Sequence, residues 1–216
     1  MQFLRVRHPF LLRMSTAFDT MKLQTKAYLT ILALASATLP ASGGDYAIKS
    51  NLLYDATASV NLGAEFGIAR QWSLDVNGDI NFWNVGSRRW RHWFVQPEMR
   101  YWLCHRSIGH FLGIHAFGGQ YNIGNLRTKG FKFLGTDFRT LDRQRAQGWF
   151  AGAGIAYGYS WAFSEHWGLE AEIGIGWAYS RYDTYPCAEC GDKLRDNAVH
   201  NYVGPTKAAI NLVYNF

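Results

Sequence analysis

Apolar and polar residues alternate along this chain with a period of two, most clearly between Trp72 and Phe82. In WSLDVNGDINF every second residue is apolar or glycine, and the residues between them are Ser, Asp or Asn. Such alternation places one set of side chains on each face of a β-strand. The segment therefore predicts a strand with one apolar and one polar face.

The same alternation recurs up to the C-terminus, and no segment there has a convincing helical period. Short turns alternate with longer connections, as is typical of an outer-membrane barrel. The sequence predicts an all-β fold, an eight-stranded antiparallel up-and-down transmembrane β-barrel. Its strands are expected at about residues 47–53, 60–68, 72–82, 93–103, 109–122, 149–161, 167–179 and 207–216.

Strand length and sidedness favour a membrane barrel over a soluble one. Several strands reach the roughly 9–11 residues that a tilted membrane strand needs. Aromatic residues bracket them, as Trp149 and Trp161 do, and such girdles mark lipid-facing strands. A lipocalin-like soluble barrel would instead carry its large apolar residues inside and its charges outside.

The N-terminal segment has the features of an export signal. Lys22 and Lys26 precede an apolar run and then small residues, which predicts a secretory signal peptide at 21–43. An uncleaved anchor is the alternative. Residues 1–20 are interpreted as an upstream extension and residues 46–216 as the outer-membrane β-barrel. Phe216, which ends an alternating strand, resembles the terminal aromatic signal read by the outer-membrane assembly machinery.

Composition supports the barrel interpretation and weakens the case for a nucleic-acid partner. The chain holds 22 Gly and nine Trp but only 18% charged residues, which suits a β-protein that faces something other than water. Its net charge is +6, but five of the 22 basic and one of the 16 acidic residues lie in residues 1–43. The remaining 17 basic and 15 acidic residues nearly balance, so a nucleic-acid partner is not expected.

Ionisable residues collect on the polar faces of the predicted strands. Paired carboxylates such as Glu170 and Glu172 could perform acid–base catalysis. Ion pairing between these carboxylates and basic side chains is the stronger interpretation, because an unpaired charge inside a narrow barrel is energetically very costly. We therefore expect a charge network in the barrel interior and no catalytic residues, metal or cofactor. Lys49 and His115 are further candidates for this network. Its members are expected to be Glu65, Asp75, Asp79, Glu98, Arg100, Glu170, Glu172 and Lys207.

The predicted outward loops are basic and aromatic. Arginine pairs bidentately with phosphate, so these loops could contact an anionic glycolipid; ordinary solvation explains them equally well. The candidate contacts are Arg88, Arg89, Arg91, Arg127, Lys129 and Lys132.

Three cysteines are present, and two of them, Cys187 and Cys190, lie in PCAEC. This pair could form a disulfide, half of a metal site or a redox pair. A zinc site needs about four ligands, and the sequence offers no second pair. A local disulfide, or idle thiols in a loop, is the favoured interpretation.

Four stretches resemble a family of small Bacteroidota-type outer-membrane proteins catalogued as DUF3575. The resemblance implies a barrel similar in shape to the OmpA transmembrane domain or OmpX over nearly all of residues 46–216. Some relatives accompany surface-fimbria gene clusters, which implies a surface context, and the family supplies no catalytic residues. The stretches are KSNLLYDAT (49–57), NLGAEFGIARQWSLD (61–75), WFVQPEMRYWL (93–103) and GHFLGIHAFGGQYNI (109–123).

The expected function is non-enzymatic: an outer-membrane protein with a plugged interior that serves envelope structure or surface interaction. Its expected partners are outer-membrane lipid, lipopolysaccharide, the assembly machinery and surface-structure proteins. One alternative is an accessory to the assembly or anchoring of surface fimbriae. The other is a lipid A-modifying enzyme or pore. The enzyme is disfavoured because His105 and Ser107, the only nucleophile–base pairing that stands out, fall in a predicted periplasmic turn, at the wrong leaflet. The pore is disfavoured because eight strands leave an interior that side chains just fill.

Overall fold

Eight antiparallel strands form the closed main sheet of the protein, and the two-residue strand Asn84–Val85 pairs with Arg88 and Arg89 at its edge. The computed structural model describes residues 46–82, 84–85, 88–124, 132–133, 136–137, 144–186 and 192–216. No helix among these residues is long and apolar enough to cross a membrane. The strands are β1 (Tyr46–Asn51), β2 (Val60–Ala69), β3 (Trp72–Asn81), β4 (Arg88–Trp102), β5 (Gly109–Gly124), β6 (Arg145–Ala162), β7 (Trp167–Tyr185) and β8 (Arg195–Asn215).

The sheet closes on itself in a ring. Each strand pairs with its neighbours along the chain, and β1 pairs with β8 in the register Ala47↔Asn215 to Asn51↔Asn211. Every strand of the eight therefore has a partner on both sides. The predicted all-β class, strand number and antiparallel arrangement are confirmed.

Closure gives each strand one inward and one outward face. On β7, Glu170 and Glu172 are buried, whereas Ile173 and Ile175 are 61% and 58% exposed. The same contrast holds on β6, where Ser160 is buried and Ile155 is 60% exposed. The polar face predicted from the alternation thus points into the ring, and the apolar face points away from it.

The strands differ greatly in length. β1 to β3 have 6, 10 and 10 residues, whereas β4 to β8 have 15 to 21. β4 to β8 therefore extend past the shorter strands as a wall, and the predicted loops 83–92, 123–147 and 181–202 are partly strand. These ends were missed because aromatic residues point inward and polar residues point outward there, the reverse of the pattern along the rest of the strands. Trp90 and Tyr182 are inward, whereas Arg91 and Gln147 are outward.

A short helix corrects the prediction that residues after 46 contain none. β1 ends at Asn51, two residues before the predicted end, and α1 covers Leu52–Ala56. Asn51 caps the helix by accepting a hydrogen bond from the Leu53 N–H at 3.1 Å, a role that Asn favours. Asp55 accepts hydrogen bonds from the Ser50 hydroxyl and the Asn61 amide, both at 2.8 Å. These local bonds start a helix at Leu52 and Leu53, which are good helix formers, although the alternation places both in the strand.

The interior of the ring is filled in layers. Near the short turns, Trp102 packs on Phe111 with ring centroids 4.7 Å apart. Toward the other end, Phe150 lies 6.3 Å from Phe94 and 6.1 Å from Phe117. Charged side chains occupy the space between these two aromatic layers.

Helix α1 adds to the outer aromatic layer. Its Tyr54 ring lies 5.7 Å from that of Phe94. Burial, together with the negative charge of Asp79, raises the pKa of Tyr54 to about 12. The phenol is therefore neutral at ordinary pH and acts as a packing residue at this end of the interior.

Inward glycines make room for this filling, and Gly154 is the clearest case. A Cβ at this position would lie 2.5 Å from the Ile175 carbonyl oxygen and 2.7 Å from His115 Nε2. A Cβ at the outward-facing Gly78 would meet nothing closer than 4.0 Å.

We expect Gly154→Ala to destabilise the fold by about 1–3 kcal/mol, because overpacking forces shifts of backbone and of hydrogen-bonded side chains. Gly78→Ala is the matched control and should stay within about 0.5 kcal/mol of wild type. Urea unfolding of the refolded protein in detergent measures both. Equal midpoints for the two variants would contradict the close packing described at Gly154.

Candidate functional site

The guanidinium of Arg100 lies at the centre of a buried charge cluster. Its side chain has no solvent exposure and five carboxylates surround it. They come from β2, β3 and β7 as well as from its own strand. The N···O distances are 3.1 Å to Glu65, 3.1 Å to Asp75, 2.6 Å to Glu98, 3.0 Å to Glu170 and 2.7 Å to Glu172.

Two lysines complete the cluster from β1 and β8. Lys49 contacts Glu65, and its Nζ lies 2.8 Å from Glu170. Lys207 Nζ lies 2.8 Å from Glu98 and 2.9 Å from Glu172. The cluster thus joins side chains of six strands.

Neutral polar groups surround the ions. The Asn211 amide donates to Glu170 Oε1 at 2.8 Å. His115 lies with Nδ1 3.5 Å from Glu98 Oε2 and Nε2 2.9 Å from the Thr206 hydroxyl. His115 therefore links the cluster to β8.

Charge in the cluster does not balance. Three cations face five carboxylates, so with His115 neutral and all carboxylates ionised the formal charge is −2. Charges interact strongly in a medium of low dielectric constant, and an unmatched buried charge is costly. Loss of a cation should therefore cost more stability than loss of any single carboxylate, and each of the five carboxylates contacts a cation.

Of the eight residues predicted for the interior network, seven lie in this cluster and Asp79 lies apart from it. Asp79 Oδ1 is 2.6 Å from His92 Nε2, in the outer part of the interior. Asp79 follows Asp75 by four residues along β3, about 13 Å at roughly 3.3 Å per residue. This separation along the strand keeps Asp79 away from Arg100. His92 was missed because it fell in a predicted loop.

The remaining predicted positions are dispersed. Arg89 and Arg91 lie on β4, and nothing is described of the Arg88 side chain. Lys132 belongs to a two-residue strand that pairs with Thr136–Asp137. Cys104 is an exposed free thiol. His105 and Ser107 lie in the turn between β4 and β5. Four predicted positions fall outside the described residues: Arg127, Lys129, Cys187 and Cys190.

A second concentration of functional side chains lies at the far ends of β4 to β7. A cavity of about 600 Å³ opens there, and the inward row His92, Tyr121, Gly148 and Tyr182 lines it together with neighbouring residues such as Arg91 and Arg181. Sequence reasoning missed Arg181. It could have been found, because it continues the outward phase of Trp177 and Tyr179 on the same strand.

An exposed ion pair joins the same ends of β7 and β8. Asp183 accepts a hydrogen bond from the Asn197 N–H at 2.9 Å and lies 2.9 Å from Lys193 Nζ. The backbone N–H, followed by the lysine, lowers the pKa of Asp183 to about 2. This contact fixes the irregular pairing between Tyr182 and Thr184.

Comparison with known proteins gives a family and no activity. The model of a family described as a protein of unknown function (DUF3575) matches residues 28–216. Neither a curated protein nor a solved structure matches the chain.

We expect Arg100→Met to destabilise the protein by about 3–5 kcal/mol, because it leaves five buried carboxylates with two lysines. Glu172→Gln should cost much less, since it removes one excess negative charge and keeps the side-chain shape. Denaturant unfolding in detergent measures both variants. Similar losses for the two would show that the charge imbalance described above does not govern stability.

The carboxyl carbon of Asp183 should titrate near pH 2 in a 13C NMR experiment, below the ordinary value of 3.8. A lowered folded-state pKa means that the contact stabilises fully above 3.8 and is lost as the pH falls through about 2. Asp183→Asn should remove the signal and identify it. A midpoint at the ordinary value would contradict the contact with Asn197 and Lys193.

Proposed function

The chain belongs to the DUF3575 family, whose description names no activity, and we propose from its geometry that it is an outer-membrane β-barrel. In this role it serves envelope structure and surface interaction rather than catalysis. One observation carries the proposal: between the short turns and the level of Trp93 and Trp149 no outward position carries a carboxylate, Lys or Arg, while the charges of the same stretch lie inside.

The outward face of the ring supports a lipid environment. Met99, Ile114, Ile155 and Ile175 form one row across β4 to β7. These four residues are 39%, 69%, 60% and 58% exposed. A row of exposed large aliphatic side chains is unfavourable in water and is what a bilayer core accommodates.

The dimensions of this face suit a bilayer. On β6, Trp149 and Trp161 are both outward and lie twelve residues apart. At roughly 3.3 Å per residue the separation is about 40 Å along the strand, and a tilt of about 40° reduces it to about 30 Å along the barrel axis. The hydrocarbon core of a bilayer is about 30 Å thick, so the two tryptophans suit its two interfaces.

The filled interior favours a structural role over conduction. Arg100 and its partners occupy the middle of the ring, and aromatic side chains lie on both sides of them. Interaction with other molecules is therefore proposed for the long ends of β4 to β8, which extend beyond the rest of the ring.

We expect Ile155→Arg to reduce folding into phospholipid vesicles, because a charge at mid-belt costs about 2–4 kcal/mol in a bilayer and about 0–1 kcal/mol near an interface. Val199→Arg is the matched control, since Val199 lies in the same cross-strand row as Arg181 and Trp149, at the edge of the apolar belt, and is 53% exposed. The fraction of heat-modifiable protein on a gel measures folding. If Ile155→Arg folds as well as the control, the outward face does not meet lipid.

A further inference from the structure

We infer that the cavity in the mouth of the ring binds a neutral sugar unit. The sugar packs its C–H face on Tyr121 and Tyr182, and its hydroxyl groups donate to the Tyr121 phenol oxygen and to His92 Nδ1. The inference deepens the surface interaction proposed above by naming a site and a ligand class. It rests on the proposed membrane location only for the side of the membrane on which the mouth opens.

The register of four strands builds the cavity from the inward row. His92 pairs with Tyr121, Tyr121 with Gly148, and Gly148 with Tyr182. His92 lies two residues from Phe94 along β4, so the row lies directly above the outer aromatic layer. Gly148 carries no side chain, which leaves space between the two tyrosines. The cavity of about 600 Å³ is within the roughly 300–1,000 Å³ that is typical of small-ligand sites.

The Tyr121 phenol oxygen is available as a hydrogen-bond acceptor. The Ser180 hydroxyl donates to the Trp149 carbonyl oxygen at 3.2 Å, and its oxygen lies 2.9 Å from the Tyr121 oxygen. A serine hydroxyl has a single proton, so Tyr121 must be the donor in its contact with Ser180. The phenol has thus used its proton within the protein, and it offers a ligand only the lone pairs of its oxygen.

His92 supplies a second acceptor. Its Nε2 lies 2.6 Å from Asp79 Oδ1, and an ionised carboxylate can only accept, so the proton of the neutral imidazole belongs on Nε2 and leaves Nδ1 as an acceptor. His92 Nδ1 is buried and has no hydrogen-bond partner among the residues that the structure describes. A ligand that donates to this nitrogen removes the cost of an unsatisfied buried polar atom.

The charge around the cavity disfavours an anion as its ligand. The inward row contains no Lys or Arg, and Arg91 and Arg181 occupy outward positions of their strands. Beneath the cavity lie the buried carboxylate of Asp79 and the Arg100 cluster, in which carboxylates outnumber cations. A phosphate or a carboxylate would therefore meet lone pairs and like charge.

A neutral sugar matches both the acceptors and the rings of this site. Its hydroxyl groups donate hydrogen bonds, and leaving water costs a hydroxyl much less than it costs an ammonium group. Its C–H face is weakly positive, and an aromatic ring presents a negative face. A cation is less suitable, because Asp183, the one carboxylate among the described lining residues, is already paired with Lys193 at 2.9 Å.

The test measures sugar binding by the full protein, refolded in lauryldimethylamine oxide, a detergent without a sugar headgroup. Saturation-transfer difference NMR titrations give a Kd for the methyl α-glycosides of mannose, galactose and glucose. Tyr182→Leu removes a proposed stacking ring, and Tyr121→Phe removes a proposed acceptor. Tyr185→Leu is the matched control, since Tyr185 lies on the same strand and does not line the cavity. Heat-modifiability on a gel confirms that each variant is folded.

Wild type and Tyr185→Leu should bind at least one of these glycosides. Tyr182→Leu and Tyr121→Phe should each weaken that binding about tenfold, which corresponds to about 1.4 kcal/mol. The uronate of the same sugar, which adds a carboxylate, should bind more weakly than the glycoside, and cyclohexylammonium should not displace it.

Four results would overturn the site: no binding by folded wild type, unchanged binding in either folded cavity variant, a uronate that binds as tightly as the glycoside, or displacement by cyclohexylammonium. All of these measurements are made in detergent, so a negative result refutes only the sugar site. A wild type that does not fold into phospholipid vesicles refutes only the membrane location.

Discussion

The buried guanidinium of Arg100 is the interaction on which the rest of the ring depends. A charge with no solvent exposure must be matched inside the protein, and the matching carboxylates lie as far away in sequence as Glu65 and Glu172. They meet Arg100 only when the sheet has closed. A slip of one residue in any strand would turn its inward set outward, so the cluster selects one register of the ring.

The same cluster explains why the inner surface is so rich in glycine. Eight strands enclose a space that side chains just fill, and here long charged and aromatic side chains fill it. A Cβ at Gly113 would lie 2.6 Å from Cδ of Glu98, a carboxylate already fixed by Arg100 and Lys207. The large inward side chains and the inward glycines beside them therefore depend on each other, and neither can be substituted alone.

Much of this architecture could be predicted from the sequence, because period-two alternation reports directly on a sheet with two different faces. It identified the strands and the inward ionisable residues. The prediction from alternation failed where the strand no longer has one apolar outward face and one polar inward face. At the ends of β4 to β8 aromatic residues such as Tyr182 lie inside and polar ones such as Gln147 lie outside, so the pattern no longer marks a strand.

Two further failures have local and three-dimensional causes. Helix α1 depends on hydrogen bonds from Asn51 and Asp55 that a hydropathy pattern does not contain. The alternation also assigns Asp79 to the correct face of its strand, but it does not give the position of Asp79 along the axis of the ring. That position decides whether Asp79 meets Arg100 or His92. The row that lines the cavity, from His92 to Tyr182, required the register of four strands, which no single segment reveals.

The distribution of buried residues shows where the stability of this fold must come from. Among the described residues, 18 polar or charged side chains are buried and only seven hydrophobic ones are. Burial of apolar surface inside the ring therefore contributes less than in a protein with an apolar core, and the large outward aliphatic residues stay largely exposed. Because hydrophobic stabilisation scales with apolar area removed from water, this fold would receive most of it from lipid around the ring. On the proposed membrane location, the surrounding lipid takes the part of the hydrophobic core, and the buried charge cluster around Arg100 fixes the register of the strands.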